Sequence, residues 1–252
     1  MRIAGVIPAR FGSTRLAGKP LVDIQGKPMV QHVYECALQA RSLSHVLVAT
    51  DDERVLRAVE RFGGTAVMTS PDHVSGTDRI AEVAGRLAAD IVVNIQGDEP
   101  LLEPAIIDEC VEPLRNDPVA VMATVMKQIS EPSYHDPAVV KVVCDLRGRA
   151  LYFSRSLLPY PRNRTDVFRV FEHLGVYAYT KEFLLRFAKL PPTPLEQIEG
   201  LEQLRALEHG FPIHVVETRS RGELVSVDTL ADLERVRRIV GDRLRRKAAE
   251  EI

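Results

Sequence analysis

Ile7-Pro-Ala-Arg-Phe-Gly-Ser-Thr-Arg-Leu-Ala-Gly-Lys-Pro20 follows an apolar strand, Ile3 to Ile7, and sets cations along a glycine-containing loop. Arg10, Arg15 and Lys19 can surround an anion at the carboxyl end of a strand. Gly12 and Gly18 let backbone N–H groups approach phosphate oxygens with no Cβ in the way. The stretch is not a P-loop, because five residues separate Gly12 from Gly18 and Pro20 stands where a metal-binding Ser or Thr is required. The dinucleotide pattern G-x-G-x-x-G is also missing. A polyphosphate grip fits these residues better than a solvated basic turn.

Outward from the loop, strands alternate with helical patterns in the order of a parallel sheet covered on both faces. A helix is expected near Met29–Arg41, a strand at His45–Thr50, a helix through Val55, Leu56, Val59 and Phe62 that stops at Gly63-Gly64, and a short strand at Thr65–Met68. A third helix at Ile80–Ala89 leads into the buried strand Ile91–Ile95, which ends at Gln96-Gly97-Asp98-Glu99-Pro100. The next assigned element begins at Val119. From there closely spaced strands, Val119–Met126, Val139–Cys144 and Arg149–Phe153, leave little room for crossover helices and predict antiparallel pairing. An exposed loop over Leu158–Val167 precedes a strand at His173–Tyr179 and a helix at Lys181–Leu190. A leucine stripe predicts one helix over Leu195–His209, ended by Gly210. Strands Ile213–Glu217 and Leu224–Val227 and a charged helix from Leu230 to about Ala248 close the chain. The expected fold is α/β: a mixed, mostly parallel central sheet with helices on both faces, plus a small antiparallel, helix-poor insertion. The whole chain, 1–252, reads as one domain, with the inserted strand-rich region at about 119–180.

The chain has 252 residues, 45% hydrophobic composition and a formal net charge of −2. It is long enough for a real core, and its charge carries no electrostatic footprint for a nucleic-acid polymer, so the basic loop is a local site. No apolar run approaches the length of a bilayer span and no leader is visible at the start, which predicts a cytoplasmic protein. Cys36, Cys110 and Cys144 are odd in number and far apart. They read as buried small hydrophobes rather than a disulfide framework or a zinc site.

Asp98 sits on a glycine-containing turn after a buried strand, so its carboxylate is delivered to the same sheet edge as the basic loop. Mg²⁺ takes one or two carboxylates plus substrate phosphates and keeps several waters. Asp98 together with Asp228, in Ser226-Val-Asp-Thr229, can supply that sparse set. Asp228 or Thr229 is equally an N-cap signal for the helix that follows.

These residues belong to longer runs: IPARFGSTRLAGKPL at 7–21, GKPMVQHV at 26–33, MTSPDHVSGTDRIAE at 68–82, VNIQGDEP at 93–100, HLGVYAY at 173–179 and PLEQIEGLEQLR at 194–205. In order and over nearly the whole chain, the sequence resembles the 3-deoxy-D-manno-octulosonate (Kdo) cytidylyltransferase family of lipopolysaccharide assembly. The resemblance implies a Rossmann-like nucleotidyltransferase fold, a homodimer with contacts through the 119–180 region, Mg²⁺, and transfer of CMP from CTP to the anomeric hydroxyl of Kdo with release of pyrophosphate. On it, Arg10, Arg15 and Lys19 hold the triphosphate, and Asp98 and Asp228 hold the metal. Asp72, Ser75 and Arg79 lie in the cytidine loop, where Ser75 or Arg79 reads the base. Gln96, Arg155, His173, Tyr177, Glu202 and Gln203 match the sugar site. Without the resemblance, Asp72, Ser75 and Gly76 make an ordinary turn, His173 a hydrogen-bonded partly buried histidine, and Glu202 part of a solvated helix face.

Two departures from the pattern are small. Ala17 stands where a proline is usual, which enlarges the unfolded ensemble of the loop without removing a ligand. The segment Pro159–Arg164 departs from the family run and carries no expected contact. Competing readings are a cytidylyltransferase for another acidic sugar such as sialic acid or an amino-substituted octulosonate, a sugar-nucleotide-dependent glycosyltransferase, and a non-catalytic nucleotide sensor.

Overall fold

A computed structural model describes residues 1–12, 16–163 and 165–250. Ile3–Pro8 (β1) is buried along nearly its whole length, as a strand covered on both faces must be. The chain then makes a 3₁₀ turn at Lys19–Leu21 and a two-stranded ribbon, Asp23–Ile24 (β2) with Lys27–Pro28 (β3), before helix Met29–Ala37 (α1). His45–Thr50 (β4), Glu53–Arg61 (α2), Ala66–Met68 (β5), Gly76–Arg86 (α3) and Ile91–Asn94 (β6) complete the alternating half. β1 pairs in parallel with β4 and β6, and β4 with β5, so four carboxyl ends face one rim.

The second half adds Pro104–Asn116 (α4), Met122–Ile129 (β7), Lys141–Cys144 (β8), Ala150–Ser154 (β9) and Val170–Thr180 (β10). As the close spacing predicts, β10 runs antiparallel to β6, β7 and β8, and β8 antiparallel to β9. His214–Glu217 (β11) lies parallel to β7 at the sheet edge. The order is β11-β7-β10-β6-β1-β4-β5, with β8 and β9 attached beside β10. Side chains alternate across this sheet. Ile3 and Ile7 pack with α1, α2 and α4 on one face, while Val6 packs on the other against α3, Lys181–Phe187 (α5) and Gln203–Glu208 (α7).

The structure departs from the sequence pattern in four places. Pro104–Asn116 forms α4 although it carries Pro104 and Pro113. Pro104 occupies the first turn, where its missing N–H costs nothing, and Ile106, Ile107, Cys110, Val111 and Leu114 bury one face. The expected helix Leu195–His209 is two, Pro194–Glu199 (α6) and α7, because Gly200 adopts a left-handed φ of 63° that stops the first. The leucine stripe divides with them: Leu195 and Ile198 are exposed while Leu201 and Leu204 are buried. The third helix begins at Gly76 rather than Ile80, because Ser75 and Asp78 form a reciprocal capping box. Leu224–Val227 forms no strand. Val225 and Val227 instead bury against Leu230–Glu250 (α8) in a third apolar cluster, and a single ladder-like bond, Val227 N–H to the Asp98 carbonyl at 2.9 Å, ties the segment to the sheet rim. Among the described residues, no helix is long and apolar enough to cross a membrane.

Candidate active site

The turn after β6 lies against the exit of β1 because residue 97 is glycine: a Cβ there would sit 2.7 Å from the Pro8 carbonyl oxygen. That approach brings the acid turn to the basic loop. Lys19 Nζ lies 2.6 Å from Asp98 Oδ2 and 2.9 Å from Asp228 Oδ1. Burial alone would lower the Lys19 pKa, but the charge and hydrogen bond of Asp98, joined by those of Asp228, outweigh it and raise the pKa above the ordinary lysine value. Capping of α8 falls to Thr229, whose hydroxyl accepts from the Asp232 N–H at 3.2 Å, and Asp228 turns its carboxylate to Lys19. A cleft of about 310 Å³ opens at this junction, with Arg10, Gly12, Lys19, Asp98 and Asp228 in its walls. Arg15 lies outside the described residues.

Two carboxylates from distant segments thus converge on one point of positive charge. Among the described residues no group of three or more His, Cys, Asp or Glu is arranged to hold a metal. Two carboxylates beside an anion-binding loop suit a hard cation that completes its shell with water and phosphate oxygens, and do not suit a metal needing an all-protein cage. Mg²⁺ fits this donor set.

The opposite wall of the cleft is the loop before α3. Ser75 lines it, but its hydroxyl accepts from the Asp78 N–H at 3.1 Å as the helix cap. Asp72 is exposed on the preceding turn, where its N–H donates to Ser70 Oγ, and it is not among the residues lining the cleft. Arg79 borders the cleft from beneath, buried and on a helix rather than in a loop. Its guanidinium donates to Asp51 Oδ2 at 2.9 Å and bonds Thr69, so it anchors the loop to the end of β4. His73 and Val74 also line the cleft, and no sequence signal singles them out.

Next to the cleft, and sharing Gly76, Gln96 and Asp98 with it, is a bowl of about 330 Å³. Asn94 and Gln96 from the end of β6, His173 and Tyr177 from β10, and Glu202 and Gln203 at the start of α7 line it, bringing together five of the six expected sugar-site residues. His173 Nε2 lies 2.9 Å from Thr124 Oγ1, and its ring packs against Phe153 and Tyr177 at centroid distances of 5.1 and 5.2 Å. Burial pushes its pKa down to about 3, so it is a neutral hydrogen-bonding group at physiological pH. Burial also raises the Glu202 pKa, while the Thr77 hydroxyl donates to its carboxylate at 2.5 Å. Glu99, at the border of the bowl, is pushed up to about 8 by burial and by the charge of Asp98. Arg155 is the sixth and lies elsewhere. Its guanidinium donates to the Glu199 and Pro137 carbonyls at 2.8 and 2.9 Å, and among the described residues no cation lines the bowl. Thr77, Asn94, Glu99 and Ser226 are bowl residues that sequence reasoning does not assign to the sugar site. Asn94 alone leaves a signal, as the polar residue in an otherwise apolar buried strand.

Residues 4–219 match a family described as cytidylyltransferase. A curated 3-deoxy-manno-octulosonate cytidylyltransferase from Geobacter sulfurreducens is 54% identical, over 94% of this chain and 98% of its own. One from Escherichia coli is 49% identical, over 96% of this chain and 98% of its own. A solved structure described as CMP:2-keto-3-deoxy-manno-octonic acid synthetase complexed with CTP superposes with a TM-score of 0.92 at 48% identity, covering 96% of this chain and all of the other.

Proposed function

The chain belongs to the cytidylyltransferase family, among its 3-deoxy-manno-octulosonate members, and from that premise we propose how its own residues carry out the transfer of CMP from CTP to Kdo in lipopolysaccharide biosynthesis. The observation that carries the proposal is the contact of Lys19 with both Asp98 and Asp228 at the junction of cleft and bowl.

The nucleotide occupies the cleft, with its triphosphate toward the loop after β1. Lys19 exchanges carboxylate oxygens for phosphate oxygens as CTP enters, and Arg10 adds charge on the same side; the family assigns Arg15 the same role. Kdo occupies the bowl, where Gln96, His173, Tyr177, Glu202 and Gln203 offer neutral or hydrogen-bonded partners to its hydroxyls. The anomeric oxygen then meets the α-phosphorus beside Asp98, whose carboxylate, with the Gln96 side chain, lines both cleft and bowl. A bond forms from that oxygen to phosphorus, the bond from phosphorus to the α,β-bridging oxygen breaks, the hydroxyl proton is lost to solvent, and pyrophosphate leaves. Cations fixed before the reaction stabilise the charge that develops on the leaving group and need no reorganisation at that moment. Asp98 and Asp228 would hold Mg²⁺, which when bound neutralises phosphate charge and favours ionisation of the attacking hydroxyl. Arg79 acts at one remove, holding the cytidine loop in place through Asp51.

The 119–180 region carries Leu146, Leu151, Tyr160 and Val167 exposed to solvent, which supports its role in a homodimer that sedimentation equilibrium would test. A reaction that consumes CTP supports a cytoplasmic location. Pyrophosphate release is the test of the reaction: it should require CTP and Kdo together and stop when a chelator removes divalent metal. Release from CTP without the sugar, or none with both, contradicts the proposal.

A further inference from the structure

A second, smaller chamber of about 80 Å³ opens off the bowl, sharing Gln96, Glu99, His173, Gly175 and Ser226 with it. Glycine keeps the mouth wide, since a Cβ at residue 175 would come within 3.3 Å of Gln96 Cγ. The chamber is roomy enough for a short chain of heavy atoms beyond the bowl. Leu102 and Leu224 give it apolar walls, and Glu99 and Glu172, whose carboxyl groups are close enough to act on each other, line it as well.

Glu172 has no part in the chemistry described above. Lys127 and Lys141 are the cations acting on it, yet neither donates a hydrogen bond to it among the described residues. Lys127 Nζ donates to the Gly222 carbonyl at 2.5 Å, and Lys141 Nζ to the Asp136, Val139 and Arg155 carbonyls at 2.8, 2.5 and 2.6 Å. The Glu172 oxygens therefore remain as acceptors for a ligand. With Glu99 held largely protonated, the chamber offers the Glu172 carboxylate as an acceptor to hydroxyls and disfavours the carboxylate of an acidic sugar, which orients the substrate as well as holding it.

We propose that this chamber is the subsite for the hydroxyl-bearing exocyclic tail of the acidic sugar, and that Glu172 makes the enzyme selective for tail length. The proposal rests on the reading of the bowl as the sugar site. The reacting hydroxyl must lie at Asp98, and the chamber leaves the bowl between Gln96 and Gly175, so what enters it is a substituent reaching out of the ring, and the exocyclic tail is the uncharged substituent of Kdo with more than one heavy atom. Leu224, Ser226 and Asp228 stand on one segment, so tail recognition and the acid cluster share a support.

The test is steady-state pyrophosphate release at saturating CTP and Mg²⁺, comparing Kdo with an analogue whose tail is shortened by one hydroxymethyl group. A site built to bond a hydroxyl rejects the analogue lacking it. The wild type should favour Kdo about tenfold or more in kcat/KM. Glu172→Ala should raise the KM for Kdo about tenfold, leave the KM for CTP in place and bring the ratio of the two sugars near one. Leu224→Phe, which fills the chamber from the opposite wall, should reverse the preference toward the shorter sugar. The proposal is overturned if the wild type accepts both sugars equally, or if the variants lower kcat/KM for both by the same factor. The Leu224→Phe arm decides alone if Glu172→Ala does not fold. No pyrophosphate from either sugar with the wild type would overturn the parent reading, and this proposal with it.

Discussion

At the phosphate end of the groove, Lys19, Asp98 and Asp228 form ion pairs within 2.9 Å of one ammonium nitrogen. At the sugar end, burial holds His173 neutral and raises the Glu202 pKa, while hydrogen bonds to backbone carbonyls turn Arg155 away. One end is arranged by opposite charges that are partly solvated, the other by hydrogen-bonding groups withdrawn from water. The first therefore resists loss of one member, because the survivors keep a partner, while the second depends on each group being held in place. An anion with three phosphates needs charge that can change partners. A sugar needs fixed donors and acceptors.

Asp98→Ala should give the largest effect, lowering turnover about a thousandfold, since one preorganised electrostatic group at the reacting centre is worth that much. Lys19 keeps Asp228 as a partner, so thermal unfolding should shift by only a few degrees, which calorimetry checks. Next is Arg79→Ala, which strands Asp51 at the floor of the cytidine loop. Leaving one member of a buried pair costs about 3–5 kcal/mol, measurable as a fall in the urea midpoint. If stability holds and only CTP affinity falls, Arg79 belongs to the base site directly rather than to its support.

His173 sharpens the contrast through pH. Its folded pKa of about 3 lies below the ordinary histidine value near 6.5, so the unfolded chain binds more protons between those limits and stability falls as pH falls. Between pH 6.5 and 5 this costs on the order of 2 kcal/mol. His173→Gln should flatten the decline of the urea midpoint by about one proton, and a slope equal to wild type would mean that the ring titrates normally. The smallest effect is expected from Thr77→Val, which removes the hydroxyl donated to Glu202. A bond of about 1–2 kcal/mol predicts a five- to thirtyfold rise in the KM for Kdo with the KM for CTP unmoved. Equal changes in both constants would erase the distinction between the two ends.

The phosphate end was legible in the sequence because it is local. Arg10, Gly12 and Lys19 follow one strand, Asp98 follows another, and parallel pairing of both strands with their carboxyl ends on one rim makes them meet. The sugar end joins β6, β10 and the start of α7, and only resemblance linked Gln96, His173, Tyr177, Glu202 and Gln203. Arg155 shows the limit of that route: it ends the run ALYFSR at 150–155, which resembles the family, but Lys141 and Glu199 bind the backbone around it and turn its guanidinium outward. Arg79 reads as a loop residue when Pro71–Arg79 is taken as a turn, whereas Ser75-x-x-Asp78 ahead of Ile80 is a capping-box signal that starts the helix at Gly76 and puts Arg79 on it. The strand-like Leu224–Val227 shows the converse. Its alternating apolar residues bury against α8, and the pattern alone cannot distinguish that packing from a sheet edge.

The most direct test of the convergence of loop, acid turn and bowl is a crystal structure with CTP and Mg²⁺ bound. The triphosphate should lie between the Gly12 backbone and Lys19, with the α-phosphorus the phosphate closest to Asp98 and the bowl open beside it. A triphosphate held away from both Lys19 and Asp98 would contradict the account.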